Sequence, residues 1–292
     1  MSPTLPTLQE AIRSTIKMLL PYNEPVHEIP LGRELEFKTI SEAMTESIKH
    51  DIGMNIYVYG QPGFGKTSLI RNAIAHMQKS FVHKANAFEV VYIQGNAVDR
   101  EYLYSTIAHQ LGIVTEDEVY LHRVLKSARS MVLQRFKSPC YTSYRKRRIP
   151  LTLLFVDEMD LAPLDEIRVL MNIAGSPNTS LLIIGAGNHS TTFMQRVKTM
   201  NPPMFVVFKE YTKDQLIQIF KSRNTHGLFN PHSLELIARK LLQNNPCGGD
   251  VRKGIAIMQK TLENRIRQGL DKDPSEWEGT INTWPIIYVL HN

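Results

Sequence analysis

Residues 60–67 constrain the fold more than any other segment. They read Gly-Gln-Pro-Gly-Phe-Gly-Lys-Thr and fit the pattern G-x-x-x-x-G-K-[ST]. Such a loop binds phosphate when a strand precedes it and a helix follows. Both flanks meet that condition. The run 55–59, Asn-Ile-Tyr-Val-Tyr, is strand-like. Leu69, Ile70, Ala73, Ile74 and Met77 then make one apolar stripe at helical spacing. Gly60, Gly63 and Gly65 let the backbone wrap closely around phosphates, with N–H groups turned inward. The positive end of the helix dipole faces the same charge. Lys66 supplies a compact cation, and Thr67 offers a hydroxyl to a magnesium ion. The alternative, a glycine turn with a surface lysine, does not require this strand–helix context.

A second segment reinforces the first. Residues 153–160 read Leu-Leu-Phe-Val-Asp-Glu-Met-Asp. Four apolar residues in a row suit a strand buried on both faces. Asp157, at its carboxyl end, can hold magnesium directly or through water. Glu158 is placed to orient or deprotonate an attacking water. Acidic pairs usually lie on solvated surfaces, but this one ends a buried strand downstream of a phosphate loop. Asp160 is less distinctive: it is either part of this acidic site or simply a cap on the next helix.

Further strand-like runs lie at 89–94, 151–157, 181–185 and 205–208, with helix-like segments between most of them. One helix runs from Glu101 to Leu111, with Leu103, Ile107 and Leu111 aligned and Gly112 as its stop. This alternation predicts an α/β fold, a five-stranded parallel sheet with helices on both faces. After Tyr211 the strands stop, and helical patterns follow at about 213–222, 232–243 and 250–267. They predict a small C-terminal helical lid domain. The expected division is a leader at 1–29, an ATP-binding domain at 30–210, the lid at 211–268 and a tail at 269–292. Within the leader, Leu8, Ile12, Ile16 and Leu19 line one face of a short helix. No apolar run approaches the roughly 20 residues that span a bilayer. The two cysteines, Cys140 and Cys247, suit a reduced chain with no disulfide framework or zinc set. Net charge is +6, which permits a polyanionic partner without demanding one.

Two more pieces fall at the spacing of an AAA+ module. The strand Leu-Leu-Ile-Ile-Gly-Ala-Gly is followed by Asn188, at the position called sensor 1. Gly-Asp-Val-Arg-Lys at 249–253 opens a helix and presents Arg252 as sensor 2. A loop asparagine and an exposed helix arginine are the plainer readings of these two residues. With Pro-Leu-Gly-Arg-Glu-Leu-Glu-Phe at 30–37, Val-Val-Tyr-Ile-Gln-Gly-Asn-Ala-Val at 90–98 and the stretch 210–223, the order resembles one family. That family comprises subunit 1 of the origin recognition complex, its helicase-loading paralogue cell division control protein 6, and the archaeal initiators. The resemblance covers about 30–265.

It implies an AAA+ P-loop NTPase using ATP and Mg2+. Gly60, Gln61, Pro62, Gly63, Phe64, Gly65, Lys66 and Thr67 would bind nucleotide, and Arg33 belongs to the opening segment that packs near the adenine. Thr67 and Asp157 would hold the metal. Glu158, Asn188 and Arg252 would act in turnover. The implied partners are related AAA+ subunits and duplex DNA, the implied compartment is the nucleus, and no membrane is involved.

The chain departs from the family in three ways. Met200 and Phe205 stand where arginines are usual, with Lys198 or Arg196 as poor substitutes. Residues 269–292 are too few for the family's winged-helix domain. No chromatin-reading module or long basic arm precedes the opening segment. The expected enzyme is therefore a slow ATPase that needs partner subunits. Rival readings are a nucleotide-gated scaffold without turnover, and another AAA+ class such as a clamp loader or transposition helper. The first conflicts with Glu158 and Asn188, the second with the missing arginine motif after Asn188. A nucleotide kinase fits poorly with the helical lid. The basic run 145–148 is either a solvated loop, a nuclear localisation patch or a contact for DNA phosphates. Trp277 and Trp284 in the tail either pack on the lid or dock a partner.

Overall fold

The computed structural model describes residues 8–19, 30–83, 87–115, 122–139, 141–142, 147–188, 191–197, 201–224, 226–243 and 249–267. The strands are β1 (Met54–Tyr59), β2 (Phe88–Gln94), β3 (Tyr141–Thr142), β4 (Arg147–Arg148), β5 (Leu151–Asp157), β6 (Leu181–Gly187) and β7 (Met204–Val207). The helices are α1 (Leu8–Met18), α2 (Glu34–His50), α3 (Lys66–Ser80), α4 (Leu103–Gln110), α5 (His122–Phe136), α6 (Leu164–Ala174), α7 (Thr191–Val197), α8 (Lys213–Arg223), α9 (Pro231–Gln243) and α10 (Val251–Arg267). The chain divides into two compact units. One comprises Leu35–Gly60 and Leu69–Phe208; the other comprises Met1–Glu34, Gln61–Ser68 and Lys209–Asn292.

The first unit holds a parallel five-stranded sheet in the order β2-β5-β6-β1-β7. This is the fold class that the alternating pattern predicts. β5 and β6 are buried at every residue, which is why their sequences show no polar alternation. Tyr57, Val91, Ile93, Leu154, Val156 and Ile183 share one core with residues of α4, α5 and α6. Their strand neighbours Ile56, Val58, Leu153, Phe155, Leu182 and Ile184 are equally buried and point the other way. α2 and α3 contribute Ile40, Met44, Leu69, Ile70 and Ala73 to the buried set, and Phe37 meets His76 edge to face. A separate two-stranded antiparallel ladder joins β3 to β4.

The second unit is helical. Ile12 and Leu19 of the leader share a core with Leu216, Phe220, Phe229, Leu234, Ile237, Leu241, Met258 and Leu262. The leader helix is thus part of the lid's own core, which its spacing did not indicate. α8 begins with a capping box: the Thr212 hydroxyl accepts the Gln215 backbone N–H at 3.3 Å, and Gln215 Oε1 accepts the Thr212 backbone N–H at 2.9 Å.

Within the sheet unit, Glu166 of α6 is buried at 2% exposure and fully engaged. It accepts hydrogen bonds from the Tyr104 hydroxyl at 2.8 Å, Arg129 Nε at 3.0 Å and Arg100 Nε at 3.1 Å. α4, α5 and the turn before α4 are therefore tied to one carboxylate. Burial pushes the Glu166 carboxyl upward, but the bonds from Tyr104 and Arg129, the Arg129 charge and the bond from Arg100 outweigh it. The net direction is downward from the ordinary carboxylate range. A depressed folded value stabilises the fold above the unfolded value, about 4.3 for glutamate, and that stability fades as pH falls through the folded value. In urea denaturation across this acid range, Glu166→Gln should be less stable at neutral pH and lose less on acidification than wild type. Parallel losses in the two proteins would contradict this role for Glu166.

Candidate functional site

The residues singled out by sequence fall into two groups, one in each unit. In the helical unit the phosphate loop is assembled around Arg33. This arginine is only 3% exposed. Its Nε donates to the carbonyl of Phe64 at 3.2 Å, its Nη2 donates to the carbonyl of Lys209, and its guanidinium lies 3.9 Å from the Tyr211 ring centroid. Phe64 itself meets Tyr211 edge to face. The opening segment, the loop and the start of the lid are thus joined by one side chain. A planar fork on an aromatic face suits arginine and not lysine.

The loop's own geometry follows from its glycines. Gly63 and Gly65 have φ of +82° and +84°, a region that costs other L-residues about 1–2 kcal/mol. A Cβ on Gly63 would lie 1.8 Å from Asp250 Oδ1. Lys66 is nearly buried, and its Nζ donates to the Gln61 carbonyl at 3.1 Å. Phe64 is buried, Gln61 and Pro62 are exposed, and Thr67 is half-buried. Arg252 grips Asp250: Nε reaches Oδ1 and Nη2 reaches Oδ2, both at 3.2 Å. The backbone N–H of Arg252 also donates to Asp250 Oδ1 at 3.0 Å. Asp250 therefore stands between the phosphate loop and Arg252, a position that the sequence motif alone did not disclose.

In the sheet unit β1 and β5 end on the same edge, with β6 between them. Gly60 follows β1 there. Asp157 closes β5, and its Oδ1 accepts the Glu158 N–H at 3.2 Å. Glu158 has φ of +51°, an uncommon left-handed conformation for a side-chain-bearing residue. Glu158 Oε2 accepts from Gln94 Nε2 at 3.3 Å. Gln94 pairs in register with Asp157 across β2 and β5. The next residue must be glycine, since a Cβ on Gly95 would lie 2.3 Å from the Glu158 carbonyl. Tyr92 hydroxyl donates to Gln94 Oε1 at 2.6 Å, lies 3.4 Å from Asp157 Oδ2, and accepts from Arg71 Nη2 at 3.0 Å. Burial raises the Tyr92 phenol above its ordinary value and the Asp157 charge adds to this, against the opposing influence of Arg71.

Asp160 does not cap α6, because Pro163 occupies that cap position. Instead Asp160 Oδ2 accepts the backbone N–H of Asn188 at 3.1 Å, tying the end of β6 to the acidic turn. Gln94, Tyr92 and Asp250 were missed in the sequence. The strand alternation of β2, which puts residues 92 and 94 on one face, was the available signal for the first two. Phe205, where an arginine is usual, is 42% exposed and meets Tyr57 and Tyr59 edge to face. Lys198, Met200, Arg145, Lys146, both cysteines and the tail tryptophans lie outside the described residues. The side chains of Arg147 and Arg148 do too.

A family model described as an AAA domain matches residues 52–192. That span holds the loop, the acidic pair and all five strands of the sheet except β7. Cell division control protein 6 homolog B of Arabidopsis thaliana is 25% identical over 243 residues, covering 80% of this chain and 46% of that protein. Origin recognition complex subunit 1 of Drosophila melanogaster is 27% identical over 241 residues, covering 79% of this chain and 24% of that protein. The chain thus spans less than half the length of these two relatives. Among solved structures, the Drosophila origin recognition complex bound to DNA aligns with a TM-score of 0.76 at 21% identity, covering 99% of this chain and 70% of that one. The Aeropyrum pernix ORC1 protein in complex with DNA aligns with a TM-score of 0.73 at 19% identity, covering 94% and 68%. At these identities the structural likeness speaks for the fold.

The fold is that of an AAA+ P-loop module, and the AAA domain model matches its residues 52–192. The proteins this chain is similar to include subunit 1 of the origin recognition complex and cell division control protein 6, the group that the motif order resembles.

The geometry of Gly63 makes a structural test possible. Gly63→Ala should lower stability for two separable reasons, the positive φ and the clash with Asp250. In an Asp250→Gly background the clash is gone, so adding Gly63→Ala there should cost only the backbone part, about 1–2 kcal/mol. Thermal or denaturant unfolding of the single and double variants checks this. A Gly63→Ala protein as stable as wild type would contradict the loop geometry.

Proposed function

We propose that this chain binds ATP with magnesium and acts in the initiation of DNA replication, as one AAA+ subunit of an origin-recognition-type assembly. The observation that carries this reading is the phosphate loop itself. Two of its glycines adopt the positive φ such a loop needs, and a buried arginine braces its backbone.

In this reading residues 60–67 cradle the phosphates. Lys66 trades its bond with the Gln61 carbonyl for a phosphate oxygen. Arg33 belongs to the same binding set and acts on it through Phe64. Thr67 and Asp157 offer a hydroxyl and a carboxylate, oxygen donors that fit the hard Mg2+ ion. Bound magnesium would neutralise phosphate charge. Glu158 serves as general base, Asn188 positions the water, and Arg252 leaves Asp250 for the terminal phosphate. The functional division is a leader at 1–29, an ATP-binding domain at 30–210, a lid at 211–268 and a tail at 269–292. Turnover is slow, because arginine fingers worth about 10³–10⁵ in rate come from partner subunits. The partners are related AAA+ subunits and duplex DNA, contacted weakly and without sequence preference. The compartment is the nucleus. Among the described residues no helix is long and apolar enough to cross a membrane.

A second reading is a nucleotide-gated scaffold without turnover. Glu158 held by Gln94 and Arg252 held by Asp250 favour it, since both groups are engaged elsewhere.

Lys66→Ala should abolish ATP binding in an equilibrium titration. An affinity within about tenfold of wild type, roughly 1.4 kcal/mol, would remove the loop from nucleotide binding. Glu158→Gln should bind ATP and fail to turn it over. Nucleotide content after incubation with ATP and the native partner complex distinguishes the readings. ADP accumulating only with wild type supports the ATPase. ADP at equal rates removes Glu158 from the mechanism, and no ADP with either supports the scaffold.

A further inference from the structure

Between Glu118 and Asp157 the chain carries nine Lys and Arg and no Asp or Glu. This is far more than the basic run 145–148. Most of the described part of this acid-free stretch forms α5 and the residues just after it. Arg135 is spent internally: its Nη2 pairs with Glu89, which also accepts from the Thr152 hydroxyl. Among the described side chains, Lys126 and Arg129 of α5 and Lys137 just after it are exposed. Lys126, Arg129, Ser130, Gln134 and Lys137 line one groove of about 640 Å³, together with Leu133 and Ser138.

We propose that this face of α5 is a binding surface for the phosphate backbone of duplex DNA. The inference extends the DNA-binding part of the proposed function and rests on it. The spacing carries the first part of the case. Residues 126, 129/130, 133/134 and 137 recur every three to four positions and so lie along one helical face. At about 1.5 Å per residue, Lys126 and Lys137 stand roughly 16 Å apart with Arg129 between them. Such a row can meet several successive phosphates. Lys126 and Lys137 are exposed and form no ion pair among the described residues.

Arg129 carries the second part. Its Nε is fixed by buried Glu166 at 3.0 Å, its guanidinium lies 5.6 Å from the Tyr104 ring, and its side chain remains 48% exposed. A guanidinium held from behind has less freedom to lose when its outer edge meets a phosphate. Glu166 offsets part of the Arg129 charge, but it lies beneath the surface, and among the described residues no carboxylate lines the groove itself.

The lining chemistry selects the ligand. Lys, Arg, Ser and Gln are the side chains that contact phosphate and sugar. Among the described residues no aromatic lines the groove, and so none offers the stacking platform that grips single strands. Nothing in it is built to read base edges, so binding should be salt-sensitive and blind to sequence. A disordered acidic polypeptide offers negative charge too, but its carboxylates have no fixed spacing to match a row of cations on one helix.

The test uses Lys126→Ala/Lys137→Ala in the whole chain. Arg129 is left intact because removing it would strand Glu166. A fluorescently labelled duplex of arbitrary sequence is titrated at several salt concentrations, with ATP affinity measured alongside. The double variant should bind duplex more weakly, with a log–log salt slope shallower by about 0.9 for each phosphate contact removed. Its ATP affinity should match wild type. If wild type binds duplex and the variant shows the same affinity and slope, this surface is wrong and the proposed function stands. If wild type binds no duplex even at low salt, the surface and the DNA part of the proposed function fail together, while nucleotide binding is untouched. Polyglutamate of matched charge is the competitor. Tighter binding to it than to duplex, lost in the variant, would assign the face to a protein partner and overturn the proposal.

Discussion

The buried guanidinium of Arg33 is the interaction that organises the phosphate loop within the helical unit. Removing an arginine from water is costly unless polar partners replace the lost hydration. Here two backbone carbonyls and an aromatic face do so, and they come from residues 64, 209 and 211. Satisfying one cation therefore draws together three segments far apart in sequence. The phosphate loop gains a brace for its backbone without giving up an N–H group. Those N–H groups are what a phosphate ligand requires.

Charge is handled differently at each place where the chain concentrates it. Arg252 is paired with Asp250 at the edge of the loop, so any role at a terminal phosphate requires an exchange of partners. Glu166 is buried and paired with two arginines and a tyrosine, which makes it a strut for α4 and α5. Glu158 combines an unusual backbone conformation with a hydrogen bond from Gln94. Strain at an acidic residue ending a buried strand is the kind of local cost that folds retain at functional positions.

Much of this was legible in the sequence, for identifiable reasons. β5 and β6 are continuous apolar runs because both their faces are covered, so their starts at Leu151 and Leu181 are visible in the sequence. The helices after Tyr211 carry broad apolar stripes and were found within a residue or so at each end. α2 and α5 were not singled out. The buried face of α2 includes Ser41 and Ser47, which hide its period, and α5 dilutes Ala128, Val132 and Phe136 with basic residues. The loop and the acidic pair were visible because their chemistry needs fixed residue types at short spacing. Arg33, Asp250 and Gln94 act through partners 31 to 187 positions away, at Phe64, Gly63 and Glu158, and no local pattern reports such pairings. The leader helix likewise gave its apolar face to the sequence reading, but not the lid core that buries it.

The central claim is that residues 60–67 form a nucleotide site whose metal is held by oxygen donors. The most direct measurement is calorimetric titration of the wild-type chain with ATP, with magnesium present and again with magnesium chelated. The account predicts one saturable site per chain, with affinity that weakens when the metal is removed. No saturable binding in either condition, or binding indifferent to magnesium, would contradict it.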